Sequence, residues 1–218
     1  MKPLYRLLAA GGLVLAVVAF ASAASTVEEA ALDARATQGA VEAPVFEVDP
    51  LWPRPLPNHW LMGSVIGVGV DSRDHVFVVH RPASLNARTE VGAAQDPPTG
   101  ECCAPAPPVL EFDPEGNLVN AWGGPADGYD WPSSNHGLSI DHMDNIWIGG
   151  NGQGDSHILK FSRDGEFIMQ IGDAGQPVNS DARDHFGRVA KISFDATNNE
   201  AYVADGYGNK RVAVIDMD

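Results

Sequence analysis

The sequence predicts an all-β protein, a β-propeller, because one short pattern occurs three times along the chain. Each copy contains a short apolar strand, a polar turn that opens with aspartate, and a second apolar strand. The copies occupy residues 67–79, 137–149 and 190–204. Beyond the N-terminal segment, no window of useful length shows the helical spacing i, i+3, i+4, i+7. Repeated short strands separated by turn residues are typical of propeller blades.

A companion phrase follows each copy and supplies further strands of the same blade. The phrases occupy residues 109–116, 158–165 and 212–218, and the third stops where the other two have their turn glycine. With one blade per repeat, the chain holds about three blades, which is about half of a six-bladed ring. We therefore expect a partial propeller that breaks off inside a blade.

The first blade carries an insertion, because the number of residues from Asp71 to Asp141 exceeds the roughly 40–50 residues of a plain blade. Residues 82–108 are rich in proline and glycine and contain both cysteines, Cys102 and Cys103. Adjacent cysteines have their Cα atoms held near the peptide spacing of about 3.8 Å, so they can bridge only in a tight ring. A disulfide that stiffens the loop is favoured, with two free buried thiols or a soft metal site as the alternatives.

Residues 1–23 have the three parts of a secretory signal peptide. Lys2 and Arg6 give a positive start, residues 7–20 are apolar, and Ala21-Ser22-Ala23 supplies small residues for cleavage. The alternative is an uncleaved anchor helix, but the apolar run is short for a bilayer span of about 20 residues. We expect an exported protein, periplasmic or extracellular. The predicted domains are a signal peptide at 1–23, a flexible lead-in at 24–45, and a partial propeller at 46–218 with its insertion at 82–108.

The composition argues against two classes of partner. The chain has 29 acidic and 14 basic residues and a net charge of −15. A nucleic-acid partner is not expected, because phosphate backbones are bound by clustered Lys and Arg. Adhesion to an anionic membrane surface after signal cleavage is not expected for the same electrostatic reason.

Three polar side chains occupy matching corners of successive repeats. Arg81 follows the second strand of the first copy, His136 precedes the first strand of the second copy, and Tyr207 follows the second strand of the third copy. In an antiparallel blade, the start of the first strand and the end of the second lie at the same end. The three side chains can therefore converge at one mouth of the central channel. The alternative for a lone histidine before a strand is a turn or core residue.

Other polar residues of the repeats are interpreted as structural. Asp71, Asp141 and Asp195 open the inter-strand turns, where their carboxylates are expected to accept backbone N–H bonds. His75 and His142 lie in the same turns and are expected to be exposed to solvent.

The repeats resemble NHL repeats, and the corner residues resemble those of the six-bladed peptidyl-α-hydroxyglycine α-amidating lyase family. The resemblance covers residues 60–218. Its most specific phrases are Gly67-Val-Gly-Val-Asp71 with His80-Arg81, His136-Gly-Leu-Ser-Ile-Asp141, and residues 193–211, which contain Asp205-Gly-Tyr-Gly-Asn-Lys-Arg211.

This resemblance implies an enzyme that cleaves a carbinolamide to an amide and glyoxylate, with a small peptide-like or N-acyl-α-hydroxyglycine substrate. It implies that His136 is one of three zinc ligands and that Arg81 and Tyr207 line the substrate site as catalytic residues. It also implies that the backbone carbonyls of Val68 and Leu138 hold a structural calcium. Zinc would act as a Lewis acid on the substrate hydroxyl, and the tyrosinate of Tyr207 would take its proton.

The sequence departs from the family, and other functions stay open. The other two zinc histidines and the last calcium carboxylate of the family come from later blades, and Gly208 stands where the family has a cysteine. His136 alone does not make a three-ligand zinc site. The alternative function is a non-catalytic NHL-type propeller that binds a protein or a glycan, because one fold hosts many functions. A calcium-dependent, lactone-hydrolysing propeller would need acidic residues at the channel mouth that the sequence does not identify.

Overall fold

The computed structural model describes residues 43–218, so the predicted signal peptide at 1–23 and most of the predicted lead-in at 24–45 lie outside the described residues. The described chain is all-β, as predicted, and its helical elements are the short 3-10 turns Pro57–His59, Pro82–Ser84 and Gly92–Ala94. Residues Pro50–Asp218 form one compact unit. Residues 43–49 contain no regular element. Across residues 43–218, no helix has the length and apolar character needed to cross a membrane.

Three antiparallel sheets follow one another along the chain and form three successive blades. The first blade consists of β2 (Ser64–Val70), β3 (Val76–Arg81), β5 (Val109–Phe112) and β6 (Leu118–Trp122). The second consists of β7 (Asn135–Ile140), β8 (Ile146–Gly150), β9 (Ile158–Phe161) and β10 (Phe167–Ile171). The third contains β11 (Lys191–Asp195), β12 (Glu200–Asp205) and β13 (Arg211–Asp216). In every blade, the order of the strands across the sheet is the same as their order along the chain. Successive sheets of this kind make the fold a partial β-propeller.

The first strands of the blades, β2, β7 and β11, lie side by side, as the innermost strands of a propeller do around its central channel. Glycine permits their close approach. A Cβ atom on Gly67 would lie 2.6 Å from the backbone nitrogen of Leu138, and one on Gly137 would lie 2.8 Å from the carbonyl oxygen of Ala190. Gly137 also has a positive φ of 72°, a conformation that glycine adopts readily. The glycine that opens the first two copies of the repeat is therefore required by the neighbouring blade.

Two apolar cores lie between the three blades. The second blade contributes to both, because successive residues of a strand face opposite sides of the sheet. Ile146 and Ile148 face the first blade, Trp147 between them faces the third, and all three side chains are fully buried. The core between the first two blades consists of Phe77, Val79, Val109, Leu138, Ile146, Ile148, Leu159 and Phe161. The core between the second and third blades consists of Trp147, Ile158, Phe186, Val189, Ile192, Ala201, Val203 and Met217.

The predicted role of the turn aspartates is confirmed. Oδ1 of Asp71 accepts hydrogen bonds from the backbone N–H groups two and four residues later, and Oδ1 of Asp141 repeats both contacts. Oδ1 of Asp195 accepts from the backbone N–H of Thr197 over 2.8 Å. The indole Nε1 of Trp147 also donates to Oδ2 of Asp141 over 2.9 Å. These bonds outweigh the opposing effect of burial and lower the pKa of Asp141 below its ordinary value.

The outer face of the first blade is covered by the segment that precedes it. Trp52, Leu56, Trp60 and Met62 pack against an apolar cluster that contains Leu110 and Phe112. The corresponding face of the third blade presents exposed side chains, Tyr202, Val212 and Val214. The two outer faces of the described propeller are therefore different.

The insertion at 82–108 is tied to this covering segment. Its strand β4 (Ala104–Pro105) pairs in parallel with β1 (Trp60–Leu61), and the structure contains the disulfide between Cys102 and Cys103, the favoured alternative for these residues. The buried imidazole of His80 joins the two segments: its Nδ1 accepts from the backbone N–H of Gly63 over 3.1 Å, and its Nε2 donates to the carbonyl oxygen of Pro107 over 2.9 Å.

Candidate functional site

The structure brings two of the three corner residues into direct contact. The Tyr207 hydroxyl and Nε2 of His136 are 3.0 Å apart, which is hydrogen-bond distance. The two rings meet edge to face, with centroids 5.3 Å apart and planes at 71°. Tyr207 is 50% exposed and His136 is half-buried, so the pair lies at a surface that a small molecule can reach.

Local backbone features place His136 at this position. It is the second residue of β7, and the pairing of β7 with β8 shifts by one residue between His136 and Leu138. The extra residue is Gly137, with its positive φ. A β-bulge of this kind turns the strand and re-aims the neighbouring side chain, which here points towards the third blade.

The loop that carries Tyr207 is held by a buried carboxylate. Asp205, the last residue of β12, accepts from the backbone N–H of Gly187 over 2.6 Å and from Nδ2 of Asn209 over 2.7 Å. It also accepts from Nε of Arg211 over 2.9 Å. The loop is thus anchored at both ends, and Tyr207 projects from it.

The hydrogen bonds of His136 define its tautomer. Nδ1 lies 3.3 Å from the backbone carbonyl oxygen of Ala190. A carbonyl oxygen only accepts, so Nδ1 carries the proton, and Nε2 of the neutral ring is the acceptor. The Tyr207 hydroxyl therefore donates to Nε2. This arrangement aligns a phenol with a nitrogen base that can receive its proton.

The guanidinium of Arg81, the third corner residue, is engaged with the second blade at the residue before His136. Its Nε donates to the backbone carbonyl of Asn135 over 3.1 Å, and its Nη2 donates to Oδ1 of Asn151 over 2.9 Å. Asn135 directly precedes His136. Arg81 therefore holds the start of β7 in place, a contact that sequence spacing did not reveal.

The residues present do not fit a zinc site built from three ligands. Nε2 of His136 carries no proton, although its lone pair accepts from the Tyr207 hydroxyl, and Nδ1 has the backbone partner that zinc-binding histidines usually have. However, within residues 43–218 no group of three His, Cys, Asp or Glu side chains at ligand distances includes His136. A structural or catalytic zinc site needs at least three protein ligands.

The surroundings of Leu138, one of the two predicted calcium ligands, do not suit a bound cation. The carbonyl oxygen of Leu138 accepts a hydrogen bond from the ammonium group of Lys191 over 3.2 Å. Val68 lies in the middle of β2, paired with Val78. Calcium takes six to eight oxygen ligands, and an ammonium group at one of two proposed oxygens supplies a positive charge there already. The described residues therefore do not fit the calcium site that the resemblance implies.

A second cluster, which the sequence analysis missed, lies between the first and second blades. Asp71, His75 and Glu111 bring their ligand atoms within 4.8 Å of one another, a donor set that suits a metal ion. The guanidinium of Arg163 occupies the cluster: its Nε lies 2.6 Å from Oδ2 of Asp71, and its Nη2 donates to the carboxylate of Glu111. The cluster as it stands is a buried ion-pair network rather than an open metal site.

The cluster corrects the expectation for one turn histidine. His75 is half-buried, and its Nδ1 lies 2.7 Å from Oε1 of Glu111. Burial acts to raise the pKa of Asp71, but the backbone N–H groups of His75 and Arg73 and the Arg163 guanidinium outweigh it and lower that pKa. Burial likewise opposes the charge of Arg163, and its two carboxylate partners raise its pKa instead.

Comparisons with known proteins add little to this geometry. No protein-family model matches the chain, and no curated protein matches it. Among solved structures, the chain is similar to a gluconolactonase from Xanthomonas campestris, with 13% identity and a TM-score of 0.27. The match covers 68% of this chain and 57% of that one, so the chain spans just over half of the gluconolactonase. The resemblance to the amidating-lyase family is not confirmed by these comparisons.

Proposed function

We propose that this chain is a lyase-like propeller that cleaves N-acyl-α-hydroxyglycines to an amide and glyoxylate. The observation that carries the proposal is the 3.0 Å contact between the Tyr207 hydroxyl and Nε2 of His136. Breakdown of a carbinolamide breaks its C–N bond and requires that the hydroxyl group lose its proton. A phenol hydrogen-bonded to a neutral imidazole can accept that proton.

The reaction balances without an oxidant or a further reactant. Tyr207 takes the proton of the substrate hydroxyl while its own proton passes to Nε2 of His136. The electron pair of the former O–H bond forms the C=O bond of glyoxylate, and the C–N bond breaks. The departing amide nitrogen receives the proton back from the pair. The substrate R–CO–NH–CH(OH)–COO⁻ thus yields R–CO–NH₂ and OHC–COO⁻.

Arg81 takes a positioning role in this proposal. Its bonds to Asn135 and Asn151 fix the start of β7 and the loop after β8. Because Asn135 is bonded directly to His136, loss of Arg81 would disturb the 3.0 Å contact without removing a reacting group. Zinc and calcium take no step in this scheme.

Export remains part of the proposal. The three-part N-terminal segment at 1–23 supports it. Mass spectrometry of the protein recovered outside the cytoplasm should identify Ala24 as the first residue. A mature protein that still begins at Met1 would favour the anchor helix.

Glyoxylate release from N-benzoyl-α-hydroxyglycine tests the activity. Tyr207→Phe removes the hydroxyl and should lower turnover by about 10²–10⁴-fold, the usual contribution of one acid–base group. Tyr202→Phe is the matched control, because Tyr202 is an exposed tyrosine on β12 whose hydroxyl contacts Glu200. No glyoxylate above the uncatalysed rate would leave the non-catalytic propeller, a binder of protein or glycan, as the function.

A further inference from the structure

A cavity of about 380 Å³ lies between the second and third blades, at the end of the strands where Tyr207 is found. The loop after β8 forms one wall with Gln153 and Ser156. The connection from β10 to β11 forms the other wall with Gln176, Phe186 and Arg188. None of these residues was identified from the sequence.

Arg188 lines this cavity, and its guanidinium makes few contacts with the described residues. Its Nε is buried and, within the described part of the chain, has no hydrogen-bond partner. Its Nη2 lies 3.4 Å from the backbone carbonyl oxygen of Tyr207, the long end of hydrogen-bond distances. A buried polar atom without a partner costs free energy, so its retention calls for an explanation.

The backbone of Arg188 is held in an unusual conformation. Its φ is 71°, in the left-handed region that non-glycine residues seldom adopt. Its backbone N–H donates to the carbonyl oxygen of Asp155 over 3.2 Å, which fixes the residue against the loop of the second blade. A strained residue kept in place by its surroundings commonly serves a binding or catalytic site.

The carboxylate of Asp155 does not neutralise Arg188. Asp155 also lines the cavity, but its two oxygens accept hydrogen bonds from the backbone N–H groups of Ser133, Ser134 and Gly152 and from the Ser133 hydroxyl. These donors stabilise its charge within the second blade. The cavity therefore keeps a guanidinium that no carboxylate of the described residues neutralises, in a protein with a net charge of −15.

We propose that Arg188 and this cavity form a subsite for a carboxylate group. A guanidinium binds carboxylate oxygens with geometrically defined, charge-assisted hydrogen bonds, and the side-chain amides of Gln153 and Gln176 can add donors from the two walls. The assignment of this carboxylate to a substrate of the Tyr207–His136 pair rests on the proposed function. Arg81 is less suited to the role, because Asn135 and Asn151 already accept from its guanidinium.

Binding of an inert ligand pair tests the subsite without turnover. N-benzoylglycine and N-benzoylglycinamide differ only in a carboxylate against a neutral amide. Chemical-shift titration of the isotope-labelled chain should show that the carboxylate binds more tightly by about tenfold or more, the usual worth of a hydrogen bond to a charged group. Arg188→Gln should remove this preference, and Arg188→Lys should keep part of it, because lysine retains the charge without the planar fork.

Arg183→Gln is the matched control, because Arg183 is an exposed arginine of the same connection, and it should bind both ligands as the unmodified chain does. Equal binding of the two ligands to the unmodified chain would overturn the proposal and does not depend on any variant folding. An undiminished carboxylate preference in Arg188→Gln would overturn it as well. The chain could prefer the carboxylate through Arg188 and yet release no glyoxylate. That result would support the subsite and reject the lyase.

Discussion

Arg163 in the second blade donates from Nε to Oδ2 of Asp71 in the first blade over 2.6 Å, with the two side chains 12% and 0% exposed. The same guanidinium reaches the carboxylate of Glu111 through Nη2 and lies over the ring of Phe77, 5.6 Å from its centroid. One side chain of the turn between β9 and β10 thus joins the first inter-strand turn and the third strand of the neighbouring blade. The blades are held together by charge as well as by their apolar core.

Replacing Arg163 with glutamine should strongly destabilise the protein. The change leaves Asp71 and Glu111 buried without a cation, and breaking a buried ion pair in this way costs about 3–5 kcal/mol. Thermal and urea unfolding measure the loss. Arg73→Gln is the control, because Arg73 is an exposed arginine of the adjacent turn, and it should change stability by less than about 0.5 kcal/mol.

The double variant Arg163→Gln with Glu111→Gln separates the ion pair from the packing. It removes one of the two uncompensated charges and should recover part of the stability lost in the single variant. If the two substitutions add without recovery, the loss comes from packing against Phe77 and the electrostatic interpretation is wrong.

Replacing Gly67 with alanine should destabilise the contact between the first two blades. The added Cβ would lie 2.6 Å from the backbone nitrogen of Leu138, and backbone cannot give way as a flexible side chain can. Overpacking of this kind costs about 1–3 kcal/mol. Gly206→Ala is the matched control, because a Cβ at Gly206 meets nothing within 4 Å. Equal unfolding midpoints for the two variants would contradict the close approach of β2 and β7.

The buried imidazole of His80 should make stability depend on pH below about 6.5. Burial lowers the pKa of His80 from its ordinary value, and the bond to the Pro107 carbonyl opposes that effect only in part. In the unfolded chain the pKa of a histidine is about 6.5. Below that pH, the unfolded chain therefore binds more protons than the folded chain. The contribution of neutral His80 to the stability is fully present above that pH. It is lost as the pH falls towards the lowered pKa that His80 has in the folded protein.

His80→Gln should flatten this dependence. A glutamine amide can still accept from Gly63 and donate to Pro107, but it does not titrate. Melting temperatures between pH 7.5 and pH 5.5 should fall less in this variant than in the unmodified chain. His142→Gln, at an exposed turn histidine, should leave the slope unchanged. Parallel slopes for the unmodified chain and His80→Gln would reject His80 as the titrating group.

The strands and turns could be predicted from the sequence because both depend on local pattern. Alternating apolar residues give the strands, and an aspartate that caps its own turn needs only the next four residues. The contact between His136 and Tyr207 followed from the same repeat geometry, because antiparallel pairing brings matching corners to one end of the blades.

The interblade contacts depend on which side chains meet across the fold, and the repeat does not encode this. Arg163 and Arg81 each bridge two blades through partners that are distant in sequence. One signal was nevertheless present. Glu111 and Lys160 occupy the same position in two otherwise apolar strands, and both are buried. Glu111 contacts Arg163, and Lys160 donates to the carbonyl of Met217 over 2.7 Å in the next blade. A charge at a fixed core position of a repeat indicates a link to the neighbouring repeat.

The last prediction concerns the Tyr207–His136 pair as one functional unit. If the Tyr207 proton passes to Nε2 of His136, the proton transfer requires both side chains. Tyr207→Phe and His136→Gln should then each lower glyoxylate release by a similar factor, and the double variant should be no slower than the slower single variant. His142→Gln should have no effect.

Elemental analysis of the same proteins separates this relay from metal catalysis. Because residues 43–218 provide no three-ligand set that includes His136, the unmodified 218-residue chain should hold less than stoichiometric zinc, and His136→Gln should leave its zinc content unchanged. A zinc equivalent that disappears in His136→Gln and remains in Tyr207→Phe would show that His136 is a metal ligand. Multiplicative losses in the double variant would instead show that the two side chains act in separate steps. Either result would contradict the proton relay, because a shared proton requires that Nε2 be free to accept it and that the two groups act together.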